Sequence, residues 1–157
     1  MEIWKLASVF AILAVFVMGV AYADSDDVEA QVIVPSTCTI SLDVTSFTWG
    51  SINAGADSTT LNKAVQVSNT GSDTAALTVK GEDWSDGGVL SFGVGNTEWS
   101  VTPATNYGSG TDLTTGDVSV NAALANGAND DIYFGVGVPA SQDAATYNQT
   151  ITLTLTC

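Results

Sequence analysis

The side chains able to do chemistry in this chain are carboxylates, hydroxyls, indoles and one pair of thiols. Asp and Glu number 17 against three Lys (Lys5, Lys63 and Lys80), with no Arg and no His. Without imidazole, Ser-His-Asp and Cys-His catalysis, His-ligated metal centres and neutral-pH proton shuttling are excluded. Without Arg, phosphoryl transfer lacks its usual clamps. A formal charge of −14 repels nucleic acid, whose phosphates need Lys and Arg, and disfavours docking on anionic lipid. Carboxylate catalysis, a binding module or a structural subunit remain.

Two acidic clusters are candidates for cation binding. Glu82, Asp83 and Asp86 flank Trp84 ahead of Gly87-Gly88, and Asp130 and Asp131 follow Asn129. Their oxygens suit Ca²⁺, which makes divalent cations candidate partners, but neither cluster has EF-hand spacing and a solvated turn is the simpler reading. No cofactor is expected. Glycoside hydrolysis needs two carboxyl groups at a set separation, and nothing in the spacing brings a specific pair together. An enzyme is therefore not expected. Trp84, between acids in a turn, is the indole expected at the surface, where it would offer a stacking platform for sugar. Trp49 and Trp99 lie in strand-like alternation and are expected in the core.

Residues 1–23 read as a secretory signal peptide. Lys5 precedes an apolar run from Leu6 to Val20, and Ala21-Tyr22-Ala23 supplies the small-x-small cleavage signal. The run is short for the ~20 residues of a bilayer span, so the expected mature product is secreted, without a membrane anchor. In that oxidising setting Cys38 and Cys157 are expected to pair, since two thiolates without His make a poor zinc set. Asn148-Gln149-Thr150 is a sequon, which makes Asn148 a candidate glycosylation acceptor.

The elements that must position these residues are strands. After residue 23 the sequence alternates with period two and is punctuated by Gly, Asn, Asp and Ser, the pattern of an antiparallel β-sandwich of Ig-like or jelly-roll type. Expected strands are Thr37–Val44, Phe47–Gly50, Lys63–Ser68, Ala75–Lys80, Val89–Val94, Trp99–Thr102, Asp117–Asn121, Ile132–Val138 and Tyr147–Cys157. Residues 106–116 read as a flexible surface loop, and Ala122–Ala125 as a single helical turn. In the last strand Tyr147, Ile151, Leu153, Leu155 and Cys157 share one face and a threonine ladder faces water. A Cys38–Cys157 bond would make the first and last core strands neighbours and leave residues 24–36 outside the stapled domain, 37–157.

That outside segment holds Val28, Ala30, Val32 and Val34 on one face, with Glu29 and Gln31 opposite and Ile33 the exception, and Pro35 ends its ladder. It reads as a preformed strand. It either folds back as an edge strand of its own sandwich or completes the sheet of the next subunit by donor-strand exchange. Exchange joins unlike surfaces head-to-tail and generates an open filament.

Phe47-Thr48-Trp49-Gly50-Ser51-Ile52-Asn53-Ala54-Gly55-Ala56-Asp57, followed by Val65-Gln66-Val67-Ser68-Asn69-Thr70-Gly71, resembles the opening of secreted β-sandwich filament subunits. These are the camelysin/TasA-like proteins and the archaeal thread and bundling-pilus subunits. Ala54 replaces the Pro that commonly precedes the Gly in those families. The resemblance implies a homopolymer of identical subunits at the cell surface, assembled through Val28–Val34. A monomeric secreted module binding glycan or a cell-surface partner is the alternative.

Overall fold

The computed structural model describes residues 31–157. The expected signal peptide and the candidate donor residues Val28 and Ala30 lie outside the described residues. The compact unit runs from Val34 to Cys157. Among the described residues, no helix is long and apolar enough to cross a membrane.

Strand periodicity organises this unit as an antiparallel β-sandwich. In chain order the strands are β1 (Ile40–Leu42), β2 (Lys63–Asn69), β3 (Ala75–Gly81), β4 (Trp84–Ser85), β5 (Ser91–Phe92), β6 (Thr97–Ser100), β7 (Thr111–Asp112), β8 (Val118–Leu124), β9 (Asn129–Val136) and β10 (Ile151–Thr156). One sheet has the order β1-β2-β9-β6-β7, the other β10-β3-β8, and β4 with β5 forms a separate hairpin. Every pairing is antiparallel. Alternation in β2 and β3 sends Val65 and Val67, Leu77 and Val79 into the gap. There they meet Ile132 and Phe134 of β9, Trp99 of β6, Leu113 and Leu124. Burying each such side chain contributes about 1.5–3 kcal/mol.

Asn69-Thr70-Gly71 turns the chain from β2 to β3. The Asn69 side chain is fully buried and satisfied. Its Nδ2 donates to Asp73 O (2.8 Å) and Leu124 O (3.0 Å), and its Oδ1 accepts from Gly71 N–H (3.0 Å). Gly71 is required by close approach, because a Cβ there would overlap the carbonyl oxygen of Thr37. The residues leading into β1 are thereby seated on this turn.

Four sequence expectations are corrected. Phe47–Gly50 forms no strand; Phe47 and Trp49 are half-buried and pack on the core from an irregular segment. Residues 106–116 are not a loose loop but contain β7 at a sheet edge, with Leu113 fully buried. Glu98, itself buried, holds the preceding stretch: its Oε2 accepts from Gly108 N–H (2.8 Å) and Gly110 N–H (3.0 Å). Ala122–Leu124 end strand β8 rather than forming a helical turn. The Val89–Val94 strand shortens to β5, followed by a 3₁₀ turn at Val94–Asn96.

Cys38 and Cys157 are bonded, with Cα atoms 5.8 Å apart. The bond brings the first and last core strands together, as expected, but without a ladder between them. β1 and β10 are edge strands of opposite sheets, so the bond staples the sandwich across its gap at one corner. The two residues are 119 apart in sequence. A loop of that size corresponds to about 4–5 kcal/mol of unfolded-state entropy.

Candidate functional site

β10 carries the clean alternation expected of it, yet its apolar face is incompletely covered. Ile151, Leu153 and Leu155 are only half-buried, while Thr152, Thr154 and Thr156 are exposed. The reason is positional. β10 pairs with β3 on one side (Ile151↔Gly81 to Thr156↔Ala76) and has no strand on the other among the described residues. Across the gap, β1 has three residues and then the chain leaves its sheet. A groove of about 620 Å³ opens between them, walled by Leu42, Phe47 and Trp49 on one side and Ile151 and Leu153 on the other. Among the described residues no charged side chain lines it, although the chain carries 17 acidic groups.

The groove floor is a continuous run of rings. Phe134 stacks on Phe47 (centroids 5.8 Å), Phe47 meets Trp49 edge-on (4.9 Å), and Trp49 reaches Trp84 (5.7 Å). Trp84 in turn stacks on Phe92 (5.4 Å), which meets Tyr147 edge-on (5.2 Å). Trp84 is therefore no surface platform. It is 8% exposed, and its Nε1 donates to Thr97 Oγ1 at 2.9 Å. Its acidic neighbours face outward while the indole turns in, since the β4–β5 pairing sets Trp84 against Phe92. Trp99 is buried as expected and Trp49 is half-buried in the groove wall; neither indole N–H has an acceptor among the described residues.

At the Cys157 end of β10, the segment before β1 is pinned to the β2–β3 turn. Thr39 O accepts from Thr70 N–H (2.9 Å), and Thr37 O accepts from Ser72 N–H (3.0 Å). Ser72 Oγ donates to Pro35 O (2.7 Å) and accepts from Thr37 N–H (2.9 Å). Ser36 Oγ donates to Asp73 Oδ2 (2.8 Å), and that bond holds the exposed Asp73 carboxyl below its ordinary pKa, aided by Thr74 N–H. Beyond this anchor Val34, Ile33 and Val32 are 73%, 80% and 84% exposed.

The acidic clusters serve loop geometry. Asp83 Oδ1 accepts from Val94 N–H (2.8 Å), and Asp86 Oδ1 from Gly88 N–H (2.7 Å) and Leu90 N–H (3.1 Å). Glu82 is exposed. Asp130 accepts from Asn121 Nδ2 (2.8 Å) and Asp131 from Gln66 Nε2 (3.1 Å). Among the described residues no three carboxylates or thiols converge as a metal site. Asn148 is exposed beside the groove mouth, its backbone paired with Ser85.

The groove itself was not legible in the sequence. It arises because Phe47–Gly50 leaves the sheet it was expected to extend, and only the half-polar, half-apolar pattern of β10 hinted at an unfinished edge. Comparisons with protein-family models, curated proteins and solved structures find no match to this chain.

Proposed function

We propose that this protein is a secreted structural subunit of an extracellular filament, polymerising head-to-tail as its N-terminal strand enters the sandwich of the next copy. The observation that carries this reading is the unfinished apolar edge at β10. It combines an uncharged groove of about 620 Å³ with half-buried Ile151, Leu153 and Leu155. The same chain carries the complement, a segment of alternating sequence whose described apolar residues, Val32, Ile33 and Val34, stand in solvent. Inserting one into the other buries both apolar surfaces and satisfies an open ladder, and main-chain bonds supply the affinity. The stapled corner leaves the anchored segment Pro35–Thr37 as the joint between domain and arm.

The monomeric glycan-binding reading loses its platform with the burial of Trp84, and no other observation favours it. Electron microscopy of purified mature protein, with and without residues 24–36, is the test. Filaments that disappear on deletion support the proposal. Monodisperse monomers from both versions, across salt concentrations, would overturn it.

A further inference from the structure

The sandwich has two long edge strands in its smaller sheet, β10 and β8. β8 is a poor acceptor. Its register against β3 is broken by irregularities at Ala75/Leu77 and Leu77/Thr78, a device that blunts edges. A short connection joins it to β9, and Asn121 Nδ2 bonds Asp130 across that side. β10 is regular over all six residues and borders the groove.

Chain direction then limits how a strand can arrive. β2 runs into the β2–β3 turn by chain order, so β1, antiparallel to β2, runs away from it; β3 leaves the turn, so β10, antiparallel to β3, runs toward it. The segment Pro35–Thr39 continues the β1 ladder out along that turn, held by Thr70, Ser72 and Asp73. Followed from N- to C-terminus, Pro35–Thr39 thus enters its own domain in the direction opposite to β10. Folding back onto its own β10 would reverse the chain at Pro35 and force a parallel ladder. A copy displaced along the line of Pro35–Thr39, in the same orientation, presents its β10 antiparallel to a strand continuing that line. Antiparallel ladders are also the slightly more stable kind.

Resting on the filament reading above, we infer that the strand seated on the free edge of β10 is Val28–Val34 of a neighbouring copy, antiparallel, with Val34 opposite Ile151, Val32 opposite Leu153 and Ala30 opposite Leu155. This register puts Ala30, Val32 and Val34 on the face that β10 turns to the groove, and places Ile33, the one apolar exception, with Gln31 and Glu29 beside exposed Thr152, Thr154 and Thr156. A one-residue slip would turn the arm's valines to solvent. The lengths agree: seven residues span roughly 23 Å and the six of β10 roughly 20 Å at ~3.3 Å per residue.

Two double variants of the full mature chain distinguish the arrangements. Ile33→Cys with Thr152→Cys joins positions adjacent only in the antiparallel register. Ile33→Cys with Thr156→Cys joins positions adjacent only in the parallel one. All three sites are exposed, and directly opposed strand residues lie within disulfide reach. After assembly, oxidation with an added thiol oxidant and non-reducing electrophoresis, the first variant should give a ladder of covalent multimers, at least tenfold more than the second. Intermolecular bonding in the second variant alone would overturn the orientation while leaving the filament intact. Intramolecular bonding in the second would show self-complementation and overturn both readings. Filaments in which neither pair bonds would exclude β10 as the acceptor. No filaments and no bonds would remove the filament reading, and this inference with it.

Discussion

Val32→Asp separates assembly from folding. Val32 is 84% exposed in the single chain, so replacing it removes no packing from the sandwich, and surface changes of that kind usually stay within about 0.5 kcal/mol. In the proposed filament the same side chain would face Leu153 inside a groove that, among the described residues, no charged side chain lines. Losing a buried valine there costs about 1.5–3 kcal/mol. Placing a carboxylate against Leu153, away from water and with no cation beside it, adds at least ~2 kcal/mol more. Together these come to about 4 kcal/mol or more per contact, roughly a thousandfold in association at 1.4 kcal/mol per decade. Sedimentation velocity should find the variant monomeric at concentrations where the parent is polymeric. Thermal unfolding of the monomeric variant should match that of arm-deleted protein. A variant that polymerises normally would refute the burial of Val32 between copies. One that stays monomeric but melts well below the arm-deleted chain would show that the arm belongs to its own domain.

Three other outcomes follow from the same structure. Replacing Cys38 and Cys157 by Ser should lower unfolding free energy by about 4–5 kcal/mol in denaturant titration, because the bond spans 119 residues between edge strands of opposite sheets. Burial, and the Glu98 carboxylate beside it, push the Tyr107 phenol up to about 12. Its folded value lies above its unfolded one, so this contribution is intact below pH 10 and is lost as pH climbs toward 12. Phenolate absorbance should show one tyrosine ionising late, and Tyr107→Phe should remove that late phase. Finally, a charge of −14 makes copies repel, with screening over ~10 Å at 0.1 M salt. Raising salt or adding divalent cations should therefore speed assembly, as followed by light scattering.

Which parts of this molecule were legible in the sequence follows from how local their causes are. The strand β10 is written in Ile151-Thr152-Leu153-Thr154-Leu155-Thr156, because side-chain alternation is a property of the strand itself. The same holds for β2, β3 and the Asn69-Thr70-Gly71 turn, whose Asn closes its own hydrogen bonds. Trp84 was misplaced because its neighbours Glu82, Asp83 and Asp86 are acidic, whereas its burial is decided by Phe92 and Thr97. The stretch 106–116 looked loose because Gly and Ser dominate it; what orders it is Glu98, a distant carboxylate that two glycine N–H groups reach. The groove depends on the absence of a strand where Phe47–Gly50 was expected to form one. Nothing local marks that residue run as irregular.

The most direct measurement is a cryo-electron microscopy reconstruction of the proposed filament at a resolution that traces strands. The expected result is a fourth strand on the free edge of β10, antiparallel to it, filling the groove beside Phe47 and Trp49 and continuing through Pro35 into the Cys38 of a different copy. An empty groove, or a strand beside β10 that connects to its own Cys38, would contradict it.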